Sequence, residues 1–189
     1  VKAVMEAGAQ VFEHNPANPE EKVELTAENL ETPIEEMFPG NCATAEELTA
    51  AFANAELENV NLTAPIELTA TINVTRNVKF NGNGHKITFS GAGKALVFTK
   101  ESELKNVVVE GTLEDPATWS SAYGMQLYNG NYVVDGLTVT NMNAAMLCGG
   151  ARVVLKGNAN VSGNGFGGIE VSVSGSTDVH PQLDMTKAY

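Results

Sequence analysis

The stretch NVKFNGNGHKITFSGAGKALVF, Asn77 to Phe98, holds three short apolar runs separated by turn residues. Val78 and Phe80, Ile87 and Phe89, and Leu96 and Phe98 each form an apolar-x-apolar triplet, the period-2 signature of a strand with one face inward. Phe recurs every nine positions. Asn81-Gly82-Asn83-Gly84 and Ser90-Gly91-Ala92-Gly93 fill the gaps, where glycine lets the backbone turn through positive φ. Two topologies fit this rhythm: successive hairpins of an antiparallel sheet, or successive sides of a coil.

Upstream, Val60-x-Leu62, Ile66-x-Leu68 and Ile72-x-Val74 keep the same beat. Downstream, two interleaved series appear. Leu104-Lys-Asn-Val107-Val-Val109 resembles Val134-Asp-Gly-Leu137-Thr-Val139 at a separation of 30, and Ala159-Asn-Val161 repeats the latter after 22. Ala95-Leu96-Val97-Phe98, Gly124-Met125-Gln126-Leu127, Ala145-Met146-Leu147 and Gly168-Ile169-Glu170-Val171 run in step with the first series. Stacked coils keep two such registers together, whereas a meander has no reason to. The alignment also sets Lys105 beside Asp135, an opposite-charge pair read as structural.

Before the strands, Thr44 to Ala55 is the clearest helix. Thr44 with Glu47 makes a capping box, and Leu48, Ala51, Phe52 and Ala55 share one face. One amphipathic helix followed only by strands is what the exposed first coil of a stack requires. Residues 1–43 read as an acidic N-terminal extension or linker. Residues 44–189 read as one repeat domain, with its capping helix over 44–55. Thr32-Pro33 marks a single helical turn running to Phe38.

Composition bounds the function classes. With 43% apolar residues in 189, the chain builds a sizeable core, and no apolar run reaches the length of a membrane span. Residues 1–60 carry 13 acidic against 2 basic side chains, and the remainder 10 against 9. That balance opposes nucleic acid and anionic membrane as partners, because phosphate recognition needs clustered Lys and Arg. Cys42 and Cys148 belong to no metal-ligand spacing and read as unpaired, partly buried thiols, a disulfide being the alternative. The chain starts at Val1, as a processed secreted protein or an excised domain does.

Through the helix TAEELTAAF leading into VNLTAPIEL, the segment NVKFNGNGHKIT, and the coil series ending in NVSGNGFGGIEVSV, the chain resembles the right-handed parallel β-helix superfamily of pectate-lyase-like secreted proteins. That superfamily includes cell-surface proteins of gut bacteria. The resemblance covers roughly Thr44 to Ser174. It implies an all-β, single-stranded right-handed parallel β-helix, a solenoid with an N-terminal capping helix, located extracellularly or at the cell surface. It also implies a tight turn between two strands of each coil, with Asn81, Gly111, Asn141 and Asn164 in the matching places.

Chemistry is less legible. The coil between Gly111 and Tyr132 is longer than its successor, and the excess is TLEDPATWSSAYG, with the only tryptophan, Trp119. Extra length in a stack of coils loops out on one face, and loops on rigid scaffolds collect binding groups. Trp119 and Tyr123 offer faces on which a sugar ring can stack, Glu114 and Asp115 offer carboxylates for its hydroxyls, and Tyr128 and Tyr132 extend the platform. The alternative is that Trp119 folds back over the side of the coil.

The superfamily's lyases use a basic proton abstractor with acidic calcium ligands, and its hydrolases use grouped Asp residues. Asp115, Asp135, Asp178 and Asp184 are scattered, His14, His85 and His180 are isolated, and Arg76 and Arg152 do not make an active site. No catalytic residue, metal site or cofactor is assigned. NGNGHK lacks the helix and Lys-Ser or Lys-Thr of a phosphate loop. The reading that follows is a non-catalytic β-helix module, glycan-binding or adhesin-like, with polysaccharide or host glycan as partner. A polysaccharide lyase or glycoside hydrolase, or a fragment of one, is the alternative, and a structural spacer of a larger surface protein is the third.

Overall fold

The computed structural model describes residues 1–173 and 180–189. In chain order the elements are α1 (Lys2–Glu6), β1 (Phe12–Asn15), β2 (Asn18–Glu24), α2 (Ile34–Met37), β3 (Asn41–Cys42), α3 (Ala45–Ala53), β4 (Asn59–Leu62), β5 (Ile66–Leu68) and β6 (Ile72–Val74). They continue with β7 (Val78–Asn81), β8 (Lys86–Phe89), β9 (Lys94–Phe98), β10 (Ser102–Gly111), β11 (Tyr123–Tyr128) and β12 (Asn131–Thr140). The last are β13 (Ala144–Gly149), β14 (Arg152–Asn160), β15 (Gly167–Ser172) and β16 (Gln182–Ala188).

The chain is mostly β and its main sheets are parallel. Val60 pairs with Phe80, Ile66 with Ile87, and Ile72 with Leu96, so each short run pairs with the third run after it. Adjacent runs do not pair, which removes the hairpin topology. From β9 onward the chain alternates between two ladders. One runs β3-β4-β7-β10-β12-β14-β16, with β5 and β8 beside it, and the other runs β6-β9-β11-β13-β15. Both repeat series fall in register: Val107 opposite Leu137 and Leu137 opposite Ala159 in the first, Leu96, Met125, Met146 and Ile169 in the second.

β10 is two strand segments joined by a bend. Ser102–Lys105 pairs with β7, Val108–Gly111 pairs with β8, and Asn106 between them has φ +48. Gly136 and Gly157 take the bend in β12 and β14, with φ +82 and +68. Turning through the left-handed region is open to Asn and Gly at low steric cost.

Inward residues of both ladders fill one core. Phe80, Phe89 and Phe98, nine apart in sequence, come from three sides of one turn of chain and are all buried. Phe52 of α3 stands edge-on to Phe80 at 5.2 Å and to Phe98 at 5.8 Å, so the helix closes this end of the core. The capping box forms, with Glu47 N–H donating to Thr44 Oγ1 and Thr44 N–H to Glu47 Oε2. Arg76 donates to the carbonyls of Ala51 and Phe52 at the other end of α3, a structural role.

The first ladder begins before the helix, at β3. The antiparallel hairpin β1–β2 packs beside it through side chains: Asn15 and Asn41 exchange amide hydrogen bonds, and Asn15 also donates to Glu21. Cys42 and Cys148 are both free and buried.

Candidate functional site

Three connections lead from the first ladder into the second on the side where the chain is irregular, at residues 112–122, 141–143 and 161–166. The middle one is the shortest, so the two longer loops meet over it. Trp119 of the first loop lies edge-on to Phe166 of the third, with ring centroids 4.9 Å apart and an interplanar angle of 74°. Both rings face solvent, at 59% and 60% exposure. Trp119 is therefore not folded into the side of the coil.

Asn143, on the middle connection, holds the pair together. Its buried amide donates to the carbonyls of Pro116 and Thr118 and accepts from Ser120 N–H, while its own carbonyl accepts from Phe166 N–H. The loops also touch through backbone at Gly165, where a Cβ would run into the Pro116 carbonyl. Asp115 organises its loop from within, accepting from Ala117 N–H at 3.1 Å and Thr118 Oγ1 at 2.8 Å. Glu114 is exposed beside it.

Tyr123 follows the first loop. It begins β11, is 3% exposed, and donates its hydroxyl to Glu170 Oε2 at 2.6 Å, with Lys94 Nζ 5.6 Å above its ring. Burial, then the hydrogen bond to Glu170, pushes its pKa up to about 12, so it stays a hydrogen-bond donor. Tyr128 sits at the opposite end of β11, about 16 Å along the strand. Tyr132 is a core residue, 1% exposed, whose hydroxyl donates to the carbonyl of Tyr128 and lies within 3.2 Å of that of Phe98. The exposed pair is thus Trp119 with Phe166, with Glu114 and Asp115 on the same loop as Trp119. Tyr128 and Tyr132 stand apart from it.

Asp135 pairs with Lys156 on the next strand at 3.3 Å, while Lys105 lies in register on its other side. Asp184 accepts from Thr186, and Asp178 lies outside the described residues, as does Ser174. Among the described residues there is no group of three His, Cys, Asp or Glu side chains placed to hold a metal ion, and no helix long and apolar enough to cross a membrane.

Phe166 and Asn143 carry no motif. The signal that points to them is loop length alone: a long loop, a short turn and a loop of intermediate length in succession bring the outer two together.

Two parallel ladders thus carry loops that set an aromatic pair, Trp119 and Phe166, in solvent. Residues 40–148 match the family described as a pectate lyase-like adhesive domain, a match over more than half the chain, and the chain belongs to that family. The matched span includes α3, Trp119 and Asn143. No curated protein and no solved structure matches the chain.

Proposed function

We propose that this chain is a non-catalytic adhesive module, built as a right-handed parallel β-helix and displayed outside the cell, that binds glycan through the Trp119–Phe166 surface. The observation that carries this reading is the exposed aromatic pair, fastened from beneath by Asn143 and flanked by carboxylates, in a chain of an adhesive-domain family. Exposed indole and phenyl faces accept the apolar face of a sugar ring, and Glu114 accepts its hydroxyls. Residues 44–189 form the β-helix domain, and residues 1–43 are an acidic extension joined to it through β3.

The test is a glycan array probed with the native chain and with Trp119→Ala, each hit then incubated with protein and followed in the ultraviolet. Binding that disappears in the variant, with no unsaturated product, is the expected result. Release of unsaturated ends makes the chain a lyase. Silence on the array leaves a spacer and overturns the adhesive reading.

A further inference from the structure

Four Asn-Gly pairs punctuate the turns, at Asn81-Gly82, Asn83-Gly84, Asn129-Gly130 and Asn164-Gly165. In such a pair nothing shields the glycine nitrogen from the preceding side-chain amide, because glycine has no Cβ. Three of the four are held shut. Gly82 N–H donates to the Lys105 carbonyl at 2.8 Å, and Asn81 Oδ1 accepts from Asn83 N–H. Asn83 donates its amide to the carbonyls of Ala17 and Leu62, both at 2.8 Å, while Gly84 N–H donates to that of Asn106. Asn164 donates to the carbonyls of Val139 and Val161 and accepts from Met142 N–H, and Gly165 N–H donates to the Met142 carbonyl. All three asparagines are half-buried.

Asn129 differs on each count. It turns the chain from β11 into β12, is exposed, and stands at φ +48, a backbone that asparagine adopts at low cost. Among the described residues its side-chain amide has no hydrogen-bond partner, and Gly130 N–H donates to none. The bond from Asn129 N–H to the Gly149 carbonyl is 3.4 Å, long for its kind, so the turn opens easily. We propose that Asn129 is a modification site, at which the chain converts its own amide to isoaspartate and aspartate through a succinimide formed with Gly130. The Gly130 nitrogen bonds to Asn129 Cγ, the bond from Cγ to the side-chain nitrogen breaks, and ammonia leaves with the proton that Gly130 gives up. Water then opens the ring at either carbonyl. Isoaspartate routes the main chain through Cβ, which adds a methylene to the turn beside the Tyr128 carbonyl that the Tyr132 hydroxyl holds. The site is independent of the Trp119 surface, which lies at the other end of β11.

The test is peptide mapping by mass spectrometry while the native chain is incubated in neutral buffer, beside the same chain unfolded in urea and beside Gly130→Ala. In the native chain Asn129 loses its amide at least about tenfold faster than the other three, for which two or more hydrogen bonds must open first. In urea the four react at similar rates. Gly130 lies outside the left-handed region, so alanine fits its backbone, and the added Cβ slows Asn129 while leaving the other three unchanged. Native Asn129 reacting no faster than Asn81, Asn83 or Asn164 overturns the assignment. An equal lead for Asn129 in urea also overturns it, because the preference then belongs to the local sequence and not to the fold.

Discussion

Asn143 is the residue on which the candidate surface depends. Three hydrogen bonds from one buried amide fix a loop that has no regular structure of its own. Asn143→Ala leaves the carbonyls of Pro116 and Thr118 without their donor and lowers stability by about 1 to 3 kcal/mol. Thermal unfolding measures the loss, and a fall in Trp119 fluorescence anisotropy reports the loosened loop. Trp119→Ala is the opposite case: an exposed side chain whose removal changes stability by less than about 0.5 kcal/mol while removing the contact. Trp119 is legible in the sequence because tryptophan is rare and sits in surplus length. Phe166 is not, because the two residues are 47 apart and no period of the repeat relates them.

At the scale of elements, α3 and the ladder rows carry testable weight. Phe52→Ala opens a void between Phe80 and Phe98 and costs about 3 to 5 kcal/mol, whereas Thr44→Ala removes only the cap, about 1 kcal/mol; chemical denaturation of the two variants separates them. Asp135 stands between Lys105 and Lys156 on neighbouring strands. Asp135→Lys makes a row of three lysines, and the loss, at most about 1 kcal/mol for exposed charges, shrinks as salt is added. The helix and both strand series were legible because capping and period-2 patterning are local. The Lys105–Asp135 register was legible too, but the ion pair forms with Lys156 instead. The hairpin of residues 12–24 was largely hidden, since Pro16, Pro19 and its charged residues mask the strand period and it depends on Asn15 meeting Asn41.

For the whole molecule, alkaline pH is the revealing variable. Burial, followed by the nearby Glu47 carboxylate, raises Cys42 to about 12, burial raises Cys148 to about 12, and Tyr123 reaches about 12 as described. Each folded value lies above its unfolded one, so the contribution to stability is complete below the unfolded value and is lost as pH rises through the folded one. The melting temperature therefore holds up to roughly pH 8 and declines above it, given unfolded thiols near 8.5. Both thiols resist alkylation until the chain unfolds. The family and the mostly β, parallel architecture were legible because two strand series repeat in step along the sequence; the candidate surface was legible only in part, because it forms between loops that do not repeat.

Trp119 is the sole tryptophan, so its emission reads the proposed contact directly. The decisive measurement is a fluorescence titration of the native chain with the glycan that it binds on an array. A saturable change in Trp119 emission that tracks binding is the predicted result. Binding with unchanged emission would contradict the central claim that the Trp119–Phe166 surface is where this adhesive domain makes contact.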